Sequence, residues 1–340
     1  MLKAFSVRNY RDRQDLFIDL SVSRDYAFST ECISRHGGIV KTGLVFGANG
    51  SGKSSLFTAI HDLAILLAPA KDKSIDGAKP ATGRFAHVLA FEADEVAFVY
   101  ERRNGRLIHE ELTLNGRLMY RIAEGRAELD GLRAFHPSVK LPDVPSDDRP
   151  FLLTLSESSD WARRTHAGKV VRFAEGMTLW TASDRTCGPV DLSPAGAARF
   201  VREQNLEEKF FAFLTSLGVE FECDGMESFI ETASSGMKRM LSCFVLTNNL
   251  SRTTLILADD FDVNLASGVP EAIFQRLRRN GVQCLMSSHR TSLLTHFLVR
   301  PDVCFKVRKG RATCFSDLTD REIRYGNNLE KLYLSGEFDV

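Results

Sequence analysis

The nine residues Gly47-Ala48-Asn49-Gly50-Ser51-Gly52-Lys53-Ser54-Ser55 constrain this chain more than any others. They follow a mostly apolar run at 39–46 that reads as a strand. They lead into 53–67, where Leu56, Ile60, Leu63 and Leu67 recur at helical spacing and should face a core. A strand that turns through glycines into a helix offers a row of backbone N–H groups to an anion, and the helix dipole adds to the attraction. Glycine is needed because a Cβ would obstruct the wrapping backbone. The spacing G-x-x-x-x-G-K-S then assigns roles. Gly47, Asn49, Gly50, Ser51, Gly52 and Ser55 cradle the phosphates, Lys53 reaches the β- and γ-phosphates, and Ser54 ligates Mg²⁺. ATP and Mg²⁺ are the expected cofactors. A chance glycine loop would not stand between a strand and a helix.

A Mg²⁺ held by Ser54 and phosphates needs a carboxylate from a second strand. Leu255-Ile256-Leu257-Ala258-Asp259-Asp260 is an apolar run that ends in two acids. Asp259 is expected on the metal, and Asp260 is placed to orient or deprotonate an attacking water. His289 follows the apolar strand segment 283–287, at the strand end where α/β sheets bind ligands. It can hydrogen-bond a γ-phosphate. Lys53, Asp260 and His289 are therefore the catalytic candidates. Ser234-Ser235-Gly236 opens a segment that reads as a helix, and its N–H groups and hydroxyls suit an anion or a plain helix cap.

Along the rest of the chain, alternation predicts strands at 2–8 and 16–22, an exposed loop at 69–84, and a β-meander at 88–91, 96–100, 107–114 and 117–122. Asn115-Gly116 marks a hairpin. Four prolines within 135–150 read as a linker, and 151–250 as mainly helical, with a clear helix at 195–217. Then come a strand at 254–258, a helix at 270–279, a helix at 290–298 and a strand near 303–307. This divides the chain into an N-terminal lobe (1–134), a helical lobe (135–250) and a C-terminal lobe (251–340).

Composition excludes some functions. Lys plus Arg and Asp plus Glu both number 44, which argues against an overall basic nucleic-acid binder. The local clusters Arg163-Arg164, Arg276-Leu277-Arg278-Arg279 and Arg308-Lys309 with Arg311 still permit DNA contact. Seven scattered cysteines without a C-x-x-C pair read as reduced thiols rather than a zinc module. No signal peptide is seen and no apolar run approaches the ~18 residues of a membrane span, so no membrane association and a cytoplasmic setting are expected.

Order and spacing carry a resemblance. Gly236 lies 23 residues before Asp259, and His289 lies 30 beyond it. With the glycine loop first, this resembles an ABC-type ATPase head. Within that class the chain is most similar to the OLD-like and RecF-like AAA ATPases of bacterial defence systems. The matching pieces are Val7–Asp12, Ser234–Arg239, Asp259–Leu265, Ser287–Arg290 and the closing 328–336. The resemblance implies an α/β P-loop NTPase fold, with a mixed central sheet, an antiparallel β-subdomain and an inserted helical lobe. It implies a head-to-tail homodimer, or a higher oligomer built from it, in which Ser234, Ser235 and Gly236 of one subunit cap the ATP on the other. It also implies a separate effector chain such as a nuclease, since only 51 residues follow His289. A RecF-like ATP-dependent DNA clamp is the alternative. Two departures stand out: Asp260 replaces the usual Glu, and no Gln lies between Ser55 and Gln204 where the family carries one.

Overall fold

The computed structural model describes residues 1–11, 14–22, 24–35, 38–68, 81–137, 140–145, 149–219, 221, 223–295 and 297–339. The chain opens with a hairpin, β1 (Leu2–Tyr10) and β2 (Gln14–Asp19), and reaches β3 (Thr42–Phe46), all five of whose residues are buried. The glycine loop leads into α1 (Lys53–Leu67). An antiparallel meander follows: β4 (Gly83–Phe91), β5 (Asp94–Arg103), β6 (Arg106–Leu114), β7 (Arg117–Ala123) and β8 (Arg126–Glu128). Helices α2 (Asp130–Phe135), α3 (Phe151–Glu157), α4 (Asp160–Arg164) and α5 (His166–Glu175) lead to β9 (Met177–Trp180) and β10 (Thr186–Cys187). Then come α6 (Pro194–Glu203), α7 (Glu207–Ser216), α8 (Gly225–Thr232) and α9 (Ser235–Asn248). The last part holds β11 (Leu255–Ala258), α10 (Val269–Arg279), β12 (Gln283–Ser287), β13 (Cys304–Arg308), β14 (Arg311–Cys314) and α11 (Leu329–Leu334).

These strands join one sheet in the order β10-β9-β11-β12-β3-β13-β14-β2-β1-β4-β5-β6-β7-β8. From β9 to β13 the neighbours run parallel. β9, β11, β12 and β3 are wholly buried, as parallel strands covered on both faces must be. α1 packs against α5, β9 and β11, whereas α10 packs against α9. The mixed α/β architecture with its antiparallel β-subdomain is thus as the sequence implies. Leu56, Ile60, Leu63 and Leu67 are all buried beneath α1. Asn115 and Gly116 both have positive φ (50° and 77°) and join Leu114 to Arg117, the tight hairpin that their pairing requires.

Five expectations need correction or narrowing. The segment 151–250 is mainly helical as expected, but it also contributes Met177–Trp180 as β9, which pairs in parallel with Leu255–Ala258 deep in the sheet. The helix expected at 195–217 is two helices, parted at Asn205, whose φ is 52°. Of the helix expected at 290–298, the described residues form only a single 3-10 turn at Thr291–Leu293, and residue 296 lies outside them. Of the loop expected at 69–84, residues 69–80 lie outside the described residues, and β4 already begins at Gly83. Within the linker expected at 135–150, residues 138–139 and 146–148 also lie outside them. Among the described residues, no helix is long and apolar enough to cross a membrane.

Buried polar ties fasten α1 to the antiparallel part. Asp62 on α1 is buried and accepts hydrogen bonds from Tyr100 Oη (2.9 Å) and Arg102 Nη1 (2.8 Å) of β5. Burial pushes its carboxyl up, and Arg102 opposes that. His87 of β4 bonds through Nε2 to the Ile60 carbonyl (3.1 Å), and burial lowers its pKa to about 4. Removing one partner of a buried pair strands the other charge. Arg102→Leu should therefore cost about 3–5 kcal/mol in a urea unfolding curve, whereas Arg103→Leu on the exposed side should cost under about 1 kcal/mol. His87 stays neutral in the folded chain while the unfolded chain protonates near the ordinary histidine value of 6.5. Its contribution to stability is therefore lost as pH falls from 6.5 toward 4, by about 2 kcal/mol at pH 5. Unfolding midpoints at pH 7 and pH 5 should differ less for His87→Gln than for the native chain.

Candidate active site

In-register parallel pairing sets Val45 beside Ser287, Met286 beside Ala258 and Ala258 beside Trp180. Four chain segments therefore leave the sheet side by side at the C-terminal strand ends. They are the glycine loop after β3, the Ser288-His289 turn after β12, the Asp259-Asp260 turn after β11 and the Thr181 turn after β9. This is the edge at which open α/β sheets place their ligands.

The loop is shaped by exclusion. Gly47 has φ 155°, and a Cβ there would lie 2.6 Å from Ser51 Oγ and 2.9 Å from the Val307 carbonyl. The turn between β13 and β14 braces the far side, where Gly310 N donates to Ser51 O at 3.2 Å. Ala48, Asn49 and Gly50 are exposed at the crest, Ser54 is exposed on the first turn of α1, and Ser55 is half-buried behind it. The Ser51 hydroxyl is buried without a protein partner, as a loop built around an external acceptor would leave it. Lys53 is buried, and its Nζ donates to the carbonyls of Gly47 (2.9 Å) and Ala48 (3.4 Å), so the ammonium lies across the mouth of the loop. Burial lowers its pKa below the usual lysine range, against the pull of Asp260 and Asp259.

Ser287 organises the acids. Its hydroxyl donates to Asp259 Oδ1 at 2.7 Å and accepts from Asp260 N at 2.7 Å, and Asp260 Oδ1 lies 3.3 Å away. Asp259 is buried, while Asp260 is partly open and adopts φ 45°. That left-handed turn aims the two carboxylates differently, and aspartate tolerates it better than most side chains. His289 is exposed, with Nε2 3.7 Å from Asp260 Oδ1. Next to them Ser288 Oγ donates to Asp262 Oδ2 at 2.8 Å, and Arg290 Nε lies 3.3 Å from the same oxygen. Burial raises the Asp262 carboxyl, opposed by Ser288 and Arg290.

One chain thus brings together Lys53, Asp259, Asp260 and His289 beside the loop residues. It does not fold Ser234–Gly236 onto its own glycine loop. That turn caps α9, with Ser234 Oγ accepting from Met237 N at 3.3 Å, and α9 packs on α6, α7 and α10 rather than on α1. Ser234 and Ser235 are exposed, and the first-turn N–H groups of a helix lack intrahelical partners. Gly236 lies against the Asn264 carbonyl, which a Cβ would approach to 2.4 Å.

Two features escaped the sequence reading. The Thr181–Arg185 turn occupies the position beside Asp259, and it carries hydroxyls (Thr181 Oγ1 3.1 Å from Ser183 Oγ) rather than an amide side chain. Arg239 is fully buried at the level of the Asp259-Asp260 turn. Its guanidinium donates to the carbonyls of Thr181 (3.0 Å), Asp260 (3.0 Å) and Phe261 (3.3 Å) and to Asp184 Oδ1 (2.5 Å), and stacks 3.6 Å from the Trp180 ring centroid. The visible signal was a cation one helical turn past Ser235, at the edge of an apolar run.

The arrangement suits a polyphosphate: N–H groups and an ammonium for phosphate oxygens, two carboxylates for a cation or water, and an imidazole at the rim. Among the described residues no three His, Cys, Asp or Glu are grouped to hold a metal. A divalent ion here would take Ser54 and Asp259 and complete its shell with phosphate and water, which fits Mg²⁺ better than zinc. Ser287→Ala leaves Asp260 N without its partner and frees Asp259. It should destabilise the fold by about 1–3 kcal/mol in chemical unfolding, while Ser183→Ala, in the exposed turn, should stay within about 0.5 kcal/mol.

No protein-family model matches the chain, and no curated protein matches it. Among solved structures the chain is similar to an SMC head bound to the C-winged helix domain of ScpA (14% identity, TM-score 0.38, covering 92% of this chain and 96% of that one). It is also similar to the SMC head domain from Thermotoga maritima (14%, TM-score 0.41, 92% and 97%) and to a putative cobalt transport ATP-binding protein (10%, TM-score 0.39, 94% and 85%).

Proposed function

We propose that this chain binds ATP with Mg²⁺ and hydrolyses it at a site completed by a second copy of itself. The observation that carries the reading is a division. Lys53, Asp259, Asp260 and His289 converge at adjacent strand ends, whereas Ser234 and Ser235 face outward from another layer. A head-to-tail dimer brings the outward turn of one subunit over the loop of the other. Backbone N–H groups of Gly47–Ser55 and Lys53 hold the phosphates, Ser54 and Asp259 hold Mg²⁺, and Asp260 takes or orients the attacking water. His289, 3.7 Å from Asp260, is positioned to bond the γ-phosphate. Mg²⁺ bound by Ser54 and Asp259 would supply charge neutralisation to the phosphates.

Asp260 is one methylene shorter than the glutamate its family uses, so turnover is slow and ATP acts mainly as the ligand that closes the dimer. A differential affinity of that kind suffices for a switch. The subunit then gates a separate effector, such as a nuclease, in cytoplasmic antiviral defence; this role rests on the sequence resemblance. A DNA clamp is less well supported, because part of the basic cluster on α10 is already engaged. Arg276 bonds Ser216 Oγ (3.1 Å) and stacks on Phe213, and Arg278 bonds the Phe297 carbonyl.

Phosphate release from Mg·ATP, measured across protein concentrations with Lys53→Ala as the blank, tests the reading. The rate per subunit should rise with concentration, and Asp260→Ala should lower it at least about tenfold. A concentration-independent rate from a protein that remains monomeric would rule out the shared site.

A further inference from the structure

The loop that carries the hydrolytic acids is clamped to the helix that carries the outward turn. α9 touches the segment 259–265 twice. At its N-terminus Gly236 lies on the Asn264 carbonyl, so close that a Cβ would come within 2.4 Å. One turn on, Arg239 holds the carbonyls of Asp260 and Phe261. The same guanidinium holds the Thr181 carbonyl and Asp184 on the far side of Asp259 and rests on Trp180. From the opposite direction the segment is tied to the β12 end through Ser287, Ser288 and Arg290. A planar five-donor cation that is fully buried and makes these four bonds cannot shift without moving its acceptors.

We infer that Arg239 is a positioning residue that transmits occupancy of the Ser234–Gly236 turn to Asp260 of the same chain, and so couples the two ATP sites of the dimer. The inference rests on the shared-site reading above. In a head-to-tail dimer the turn of one subunit caps the ATP on its partner, while that subunit's own Asp260 serves the ATP on its own loop. A displacement of α9 caused by one nucleotide therefore reaches the acid that acts on the other. The route is two contacts long: helix to guanidinium, guanidinium to the Asp260 carbonyl. Asp260, at φ 45°, depends on such external bonds to keep its turn.

The test is ATP turnover as a function of ATP concentration for the native chain, Arg239→Lys and Asp184→Asn. Equilibrium binding of Mg·ATP and the sedimentation of each protein are measured alongside. Arg239→Lys keeps the charge but loses the fork. Asp184→Asn leaves the guanidinium in place and loosens only its partly exposed anchor, so it carries the test if the first variant does not fold. The native chain should respond sigmoidally, with a Hill coefficient of about 1.5–2, the ceiling being two sites. Both variants should fall toward 1 and lose about tenfold in kcat, while the affinity of the free subunit for Mg·ATP changes less than about twofold. A purely structural role would lower stability and active fraction without changing the shape of the curve. A native dimer with a hyperbolic response, or folded variants that keep the native Hill coefficient, would overturn the inference and leave the shared site intact. A native chain that binds Mg·ATP but never dimerises would overturn the shared site and the inference with it.

Discussion

The register of the buried parallel strands is the constraint on which everything else depends. Val45 beside Ser287, and Met286 beside Ala258, fix how far each strand runs before it leaves the sheet. A slip of one residue would turn every buried side chain to the other face and separate Lys53 from the acids. The register is pinned at the other end of β12 by buried Gln283. Its amide donates to the carbonyls of Leu2 (2.8 Å) and Val40 (2.9 Å) and accepts from Leu2 N (2.7 Å). A residue far from any ligand thus sets the level at which Ser287 meets Asp259.

The polar groups inside this molecule serve geometry more than stability. Asp62 with Arg102, and Arg239 with Asp184, are ion pairs whose desolvation consumes much of what their attraction returns. Both sit where one layer must be fixed to another. The first fastens the helix behind the glycine loop to the antiparallel meander. The second fastens α9 to the turns after β9 and β11. Apolar packing alone would hold these layers together but would not select one orientation, and a site built from four segments needs one.

Local pattern made part of this legible. The glycine loop, α1 at Lys53–Leu67 and β12 at Gln283–Ser287 fall where periodicity puts them. The two acids after β11 and the histidine after β12 meet because neighbouring strand ends must meet. β9 was not legible: four residues after a helix are too few to show a period, and its partner lies far along the chain at Leu255–Ala258. The spacing of Leu293, Leu294 and Leu298 imitates a helix, yet the described residues of the segment make one 3-10 turn on the way from the C-terminal end of β12 to β13, the two strands that flank β3. Arg239 was hidden for a different reason. A cation near a helix start is ordinarily solvated, and only the tertiary fold shows carbonyls converging on it.

The central claim is that ATP is shared between two copies of this chain. Sedimentation of the Asp260→Asn protein with and without Mg·ATP, in parallel with the same protein carrying Ser235→Glu, tests it most directly. The account requires a dimer that forms only with Mg·ATP and is lost when a carboxylate is placed at Ser235, where it would face the phosphates. An Asp260→Asn protein that binds Mg·ATP yet sediments as a monomer, or a dimer indifferent to Ser235→Glu, would contradict it.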